Sequence, residues 1–147
     1  MGKNIEIGKS FENALFSGDQ EGLRKVLHPD AVYEVLGSPP TGGRFEGRDR
    51  VIASFENRAT GLGPGFEYEQ FSRNWYEDEA HGKVFVEIHE RSWLPAHPDD
   101  ILEVRTCSVM TIAAGQIISL IDYTDSQAYA EFKARHESEI PKFAGKS

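Results

Sequence analysis

The sequence predicts an α+β fold: a curved antiparallel sheet wrapped by N-terminal helices into a cone with an internal apolar pocket. Three observations lead there. Apolar residues recur at helical spacing through the first part of the chain. From about residue 66 to 124 the period changes to strand-like alternation. A final helical pattern follows. Helices first, then a meander of strands, then a helix give segregated layers rather than alternating βα units.

Each element follows from local chemistry. Ile5, Gly8, Phe11 and Leu15 mark a first helix, widened by Ala14 and Phe16. "SGD" ends it, with Asp19 a candidate N-cap for the next. Leu23, Val26 and Leu27 give the second helix its apolar face, and "HPD" stops it because Pro29 cannot continue a helix. "AVYEVL" is β-branched and aromatic, so 31–36 is a strand. "GSPPTGG" is a loop. A third helix carries Val51, Ile52, Phe55 and Ala59 and ends at "GLGPG". Four strands are predicted over 66–77, 83–94, 101–112 and 116–123, and a last helix over 126–136.

The bulk numbers bound the function. With 147 residues, the chain suits one domain, 1–147, whose tail from about 137 is expected to be loosely ordered. Hydrophobic residues make up 39% and charged residues 27%, the balance of a globular protein. A formal net charge of −8 leaves no basic surplus for nucleic acid. No apolar run is long enough to cross a membrane. The N-terminus lacks a signal-peptide core, and the one cysteine, Cys107, excludes an internal disulfide, so a cytoplasmic location is expected.

Strand alternation sorts candidate site residues onto one face. Val84, Val86, Ile88, Glu90, Ser92 and Leu94 share a side, as do Leu102, Val104, Thr106, Ser108, Met110 and Ile112. Ile118, Leu120 and Asp122 share a face on the last strand; Ala31, Tyr33 and Val35 share one on the early strand. Covered by the helices, these faces enclose a pocket whose polar minority is Asp122, Glu90, Tyr33, Ser108 and Thr106. A few polar groups in an apolar cleft is the usual make-up of a small-molecule site. Plainer roles stay open: Asp122 could cap the last helix or sit in water at the strand end, and Glu90 could lie at the cavity mouth. Glu34 points to the opposite face unless a bulge shifts the register.

Other motifs do not fit. "IGKS" and "AGKS" lack the strand–loop–helix setting of a phosphate loop, and "GLGPG" follows a helix rather than a strand. The five histidines show no metal spacing, and "EIHE" reads as a solvated patch. Cys107 has no base beside it. No metal and no cofactor is called for.

"FENALFSGDQEGLRKVLHPDAVYEV", "FEGRDRVIASF" and "AAGQIISLIDYTDSQAY", in that order, resemble the SnoaL-like branch of the nuclear transport factor 2-like superfamily. That resemblance implies an α+β cone around an apolar pocket, commonly dimeric through the outer face of the sheet. Its members include polyketide cyclases, ketosteroid isomerases, limonene-type epoxide hydrolases and non-enzymes. Against the epoxide hydrolases, Tyr33, Glu90 and Asp122 fall on functional positions, whereas Val35 and Ile88 stand where an asparagine and an arginine would be. Against the isomerases, Phe11 stands for a catalytic tyrosine, Ser108 lies near a protonated aspartate, and the base falls at Val35 or Glu34. In the cyclases an acid near the end of the sheet is the proton donor, and Asp122 is similar to it.

The expectation is an acid–base enzyme acting on a hydrophobic small molecule by cyclase- or isomerase-type proton transfer. Asp122, Glu90 and Tyr33 are its catalytic candidates. Val35, Ile88, Thr106, Ser108, Met110, Phe11 and Leu120 are its substrate-binding candidates. The alternatives are a non-catalytic small-molecule-binding or dimeric interaction module, and an epoxide hydrolase-like activity. A homodimer would use Phe85, Trp93, Val109, Ile117, Ile121 and Tyr123 on the outer face.

Overall fold

A computed structural model describes residues 2–37, 42–58 and 67–139, with the side chains of 56–58 excluded. Most of the "GSPPTGG" loop, Ala59, the "GLGPG" segment and the tail from residue 140 lie outside the described residues. The chain runs α1 (Lys3–Ser17), α2 (Gln20–Val26), β1 (Leu27–Val35), β2 (Gly43–Glu46), α3 (Arg48–Arg58), β3 (Glu67–Asp78), a 3-10 turn (Glu79–His81), β4 (Lys83–Trp93), β5 (Leu102–Ala113), β6 (Gln116–Tyr123) and α4 (Ser126–Arg135). Among the described residues the six strands form one curved, unclosed sheet in the order β2-β1-β6-β5-β4-β3.

Local signals set the helix ends. Gly18 closes α1 in the left-handed region (φ 73°), and its N–H reaches the carbonyls of Ala14 and Leu15. Asp19 caps α2 by accepting from Gly22 N–H at 2.9 Å. Asp125 caps α4 by accepting from Ala128 N–H at 3.0 Å. That assignment matters: the helix start is satisfied by Asp125, so Asp122 is not its cap.

Three details depart from the sequence reading. Leu27 belongs to β1, not to α2, because the helix already ends at Val26. The short β2 was not anticipated; four residues between glycines are too few to show a period. The sheet is antiparallel except at one seam, where β1 and β6 pair in parallel, and nothing local to either strand encodes so distant a partner.

A fourth departure is a change of face. The β5–β6 register slips between Thr111 and Ile112, so that Ile112 pairs with Ile117 while Thr111 pairs with Ser119. This bulge turns Ile117 into the core, fully buried, and leaves Ile118 only half-buried. The expected roles of Ile118 on the inner face and Ile117 on the outer face are therefore corrected, since one extra residue exchanges the two sides of a strand.

The inner face is covered at both ends. At one, α1 and α3 lay Phe11, Ala14, Val51, Ile52 and Phe55 against Val84, Met110, Ile112 and Leu120. Phe11 and Phe55 meet edge to face at 5.5 Å. At the other, Phe132 of α4 seals Leu102 and Val104, with Ala128 and Tyr129 alongside. α1 approaches the sheet closely through Gly8, where an added Cβ would stand 2.9 Å from Trp75 Cζ3 and 3.2 Å from Met110 Sδ. Gly8→Val is accordingly expected to cost about 1–3 kcal/mol through overpacking, measured as a lower midpoint of urea unfolding; an unchanged midpoint would show that α1 can lift off the sheet without cost.

Candidate functional site

Between the two covered ends the inner face changes character. Val84 and Met110 are buried under α1, and Leu102 and Val104 under α4, but Ile88, Glu90, Thr106 and Asp122 between them remain half-accessible. Apolar, covered ends with partly accessible polar groups between them make this stretch of the inner face the candidate site.

Asp122 is set by three strands. It stands directly across from Ser108 on β5 and from Val35 on β1. Ser108 Oγ donates to Asp122 Oδ1 at 2.6 Å, and Tyr33 Oη donates to Oδ2 at 2.8 Å. Ser108 itself is only 8% exposed. Burial pushes the Asp122 carboxyl above its ordinary pKa, while the Ser108 and Tyr33 hydroxyls pull the other way. Thr106 lies on the same face and bonds Thr124 at 2.8 Å.

Glu90 sits farther along the same face. It pairs with Val104, four positions from Ser108 along β5, so it does not share a proton with Asp122 directly. Burial raises its pKa, and the Arg73 guanidinium lowers it. The electrostatic link between the two acids runs through residues that sequence reasoning missed. Glu12 of α1 holds Arg73 of β3 at 2.8 Å, both carboxylate oxygens facing Nη1, with the side chains 13% and 19% exposed. Burial raises the Glu12 pKa against the pull of Arg73, and the charges of Asp122 and Glu90 raise it further. Tyr129 of α4 lies in the field of both Glu90 and Asp122; burial first, then those charges, keep its hydroxyl protonated.

Arg73 stands in register with Ile88, so a guanidinium borne by the neighbouring strand lies beside the position where the resemblance lacked one. Signals for these residues existed. Glu12 is one helical turn from Gly8 on the apolar stripe of α1. Arg73, Trp75 and Glu77 alternate toward the inner face of β3, opposite Ile88, Val86 and Val84. Of the other expected contact residues, Phe11, Met110, Leu120 and Val35 are buried in the core. Cys107 pairs with Glu87 and Tyr123 in the sheet, and burial raises its thiol pKa above the usual range.

No protein-family model matches the chain, and no curated protein matches it. Solved structures do. A nuclear transport factor 2-like (NTF2-like) protein from Burkholderia xenovorans LB400 is 21% identical, covering 87% of this chain and 93% of its own, with a TM-score of 0.72. An LEH-like epoxide hydrolase from M. tuberculosis is 23% identical, covering 92% of each chain, with a TM-score of 0.61. A protein described as a SnoaL-like polyketide cyclase, from Jannaschia sp. CCS1, is 18% identical, covering 89% of this chain and 90% of its own, with a TM-score of 0.65. These likenesses establish the NTF2-like cone, with SnoaL-like and LEH-like structures among its neighbours. No helix among the described residues is long and apolar enough to cross a membrane.

The raised Asp122 pKa has a thermodynamic signature. The folded chain keeps this proton to higher pH than the unfolded chain does. Stability attributable to Asp122 therefore falls as pH rises from the ordinary 3.8 through the raised value. Asp122→Asn removes that slope, so the unfolding free energy of the variant is expected to gain on the wild type as pH rises through this window. Denaturant titrations across pH measure the difference, and a gap that stays constant or moves the other way would show a carboxyl that ionises freely.

Proposed function

We propose that this protein is an acid–base enzyme on a hydrophobic small molecule, with Asp122 as the proton-transfer group and cyclisation or isomerisation as the reaction type. The observation that carries this reading is the Asp122 carboxyl gripped by the Ser108 and Tyr33 hydroxyls between two apolar ends of the inner face, a setting that acts to raise its pKa. A carboxylate so placed is a stronger base than a solvated one, and its hydrogen bonds hold it in position.

The other groups have distinct tasks in this scheme. Asp122 takes a proton from the carbon beside a substrate carbonyl, and the electron pair passes to an enolate oxygen. Tyr129 donates to that oxygen. The enolate carbon then attacks a second carbonyl of the same molecule and closes a ring, the new alkoxide taking back the proton held by Asp122, or the enolate is reprotonated farther along and shifts a double bond. Glu90, whose pKa burial raises, supplies the proton for the double-bond shift. Tyr33 steadies Asp122 rather than gripping a substrate oxygen, because its hydroxyl already donates to the carboxylate. Arg73, tied to Glu12, offsets the charge of the acids around it.

Epoxide opening is the second reading, supported by Arg73 standing opposite Ile88. Against it, Val35 stands where the resemblance puts an asparagine.

The test uses propiophenone, whose α-protons exchange slowly on their own, in D2O followed by NMR. The wild-type chain is expected to accelerate exchange, and Asp122→Asn to lower that acceleration by about 10²–10⁴-fold while ligand binding persists. Exchange unaffected by the substitution would remove Asp122 from this role. Binding with no exchange by the wild type would favour the non-catalytic binding module. Diol formation from styrene oxide without exchange would favour epoxide opening.

The outer face supports a homodimer. Tyr76, Phe85, Val109 and Ile121 form one cross-strand row, and Tyr123, beside it, is 47% exposed. Light scattering on the purified chain is expected to give a dimer mass, and Phe85→Glu a monomer with an unchanged circular dichroism spectrum. A wild-type monomer would sink the dimer.

A further inference from the structure

The histidines carry no metal spacing in the sequence, but the fold brings two of them together away from the candidate site. His97 lies in the turn between β4 and β5, fixed by its own N–H to Leu94 O at 2.8 Å and by Asp100 N–H to its carbonyl at 3.1 Å. His136 follows α4 directly and is 6% exposed, its ring packed against Phe132.

The His136 ring is held by its neighbours. Asp100 Oδ2 lies 2.6 Å from Nε2. Arg135 binds both oxygens of Asp100 at 3.0 Å, which keeps that carboxyl ionised. Nε2 is thus engaged by Asp100, and Nδ1 is the ring nitrogen on the other side. This Nδ1 is buried and has no hydrogen-bond partner. Glu139 Oε2 lies 3.5 Å from it. The same carboxylate reaches His97 Nε2 at 2.9 Å.

We propose that His97, His136 and Glu139 form a divalent-cation site of zinc type. Their ligand atoms lie within 4.8 Å of one another. Tetrahedral coordination at about 2.0–2.1 Å needs donors roughly 3.4 Å apart, a closure that side-chain rotation of the exposed His97 and Glu139 supplies. Two imidazoles and one carboxylate suit zinc better than the oxygen-seeking magnesium or calcium. Asp100 completes the arrangement, since a ligating histidine characteristically gives its other N–H to a carboxylate. Water takes the fourth position. The ion would fasten the β4–β5 turn to the end of α4, the helix that carries Tyr129 and Phe132 over the sheet.

Calorimetry of the chelator-stripped full chain with zinc chloride tests this. One equivalent is expected to bind and to raise the melting temperature, because a ligand of the folded state stabilises it. His97→Ala and Glu139→Gln, both at exposed positions, should abolish that equivalent, and His81→Ala should retain it. Asp100→Asn removes no ligand atom but should weaken binding about 10–100-fold. No zinc uptake by the wild type, or uptake unchanged in His97→Ala and Glu139→Gln, would overturn the site and leave an ordinary network of charges.

Discussion

The inner face is organised around one half-buried carboxyl group and the two hydroxyls that satisfy it. Asp122 on β6 accepts from Ser108 on β5 and Tyr33 on β1, so three adjacent strands converge on its two oxygens. An ionised group in so dry a setting is tolerable only with such donors, and donors without the acid would themselves be left unpaired. The cross-strand register places Ser108 directly opposite. The parallel seam brings Tyr33 within reach from the other side. Position and chemistry are thus fixed by the same contacts.

Around that carboxylate the electrostatics are unbalanced. Glu12, Glu90 and Asp122 influence one another or their common neighbours, and Arg73 is the cation recorded among them. Burial is the largest cause of the raised pKa at each of the three acids. Three acids gathered around one guanidinium are each pushed toward the protonated form by burial.

The cone was legible because periodicity is a local property. Val84 to Ser92 and Leu102 to Ile112 alternate cleanly, and their inner faces followed from counting by two. The candidate carboxylate was legible for the same reason: Asp122 shares parity with Leu120. Ile117 escaped because a bulge changes parity without a sequence marker. Glu12 and Arg73 escaped for another reason. Each is unremarkable on its own element and gains meaning only from the other, 61 positions away in the chain. The resemblance supplied the early tyrosine and the late acid, but not an arginine moved to the neighbouring strand.

The parallel seam between β1 and β6 has a kinetic corollary. Its partners are among the most widely separated in the chain, with Tyr33 and Asp122 89 residues apart. A ribosome must release the 89 residues that lead from Tyr33 to Asp122 before this contact can form, and loop-closure entropy makes such long-range pairing slow. The meander from β3 to β6 can zip locally, neighbour by neighbour. Assembly of the carboxylate with its tyrosine donor then belongs to a closing event, after the meander has formed.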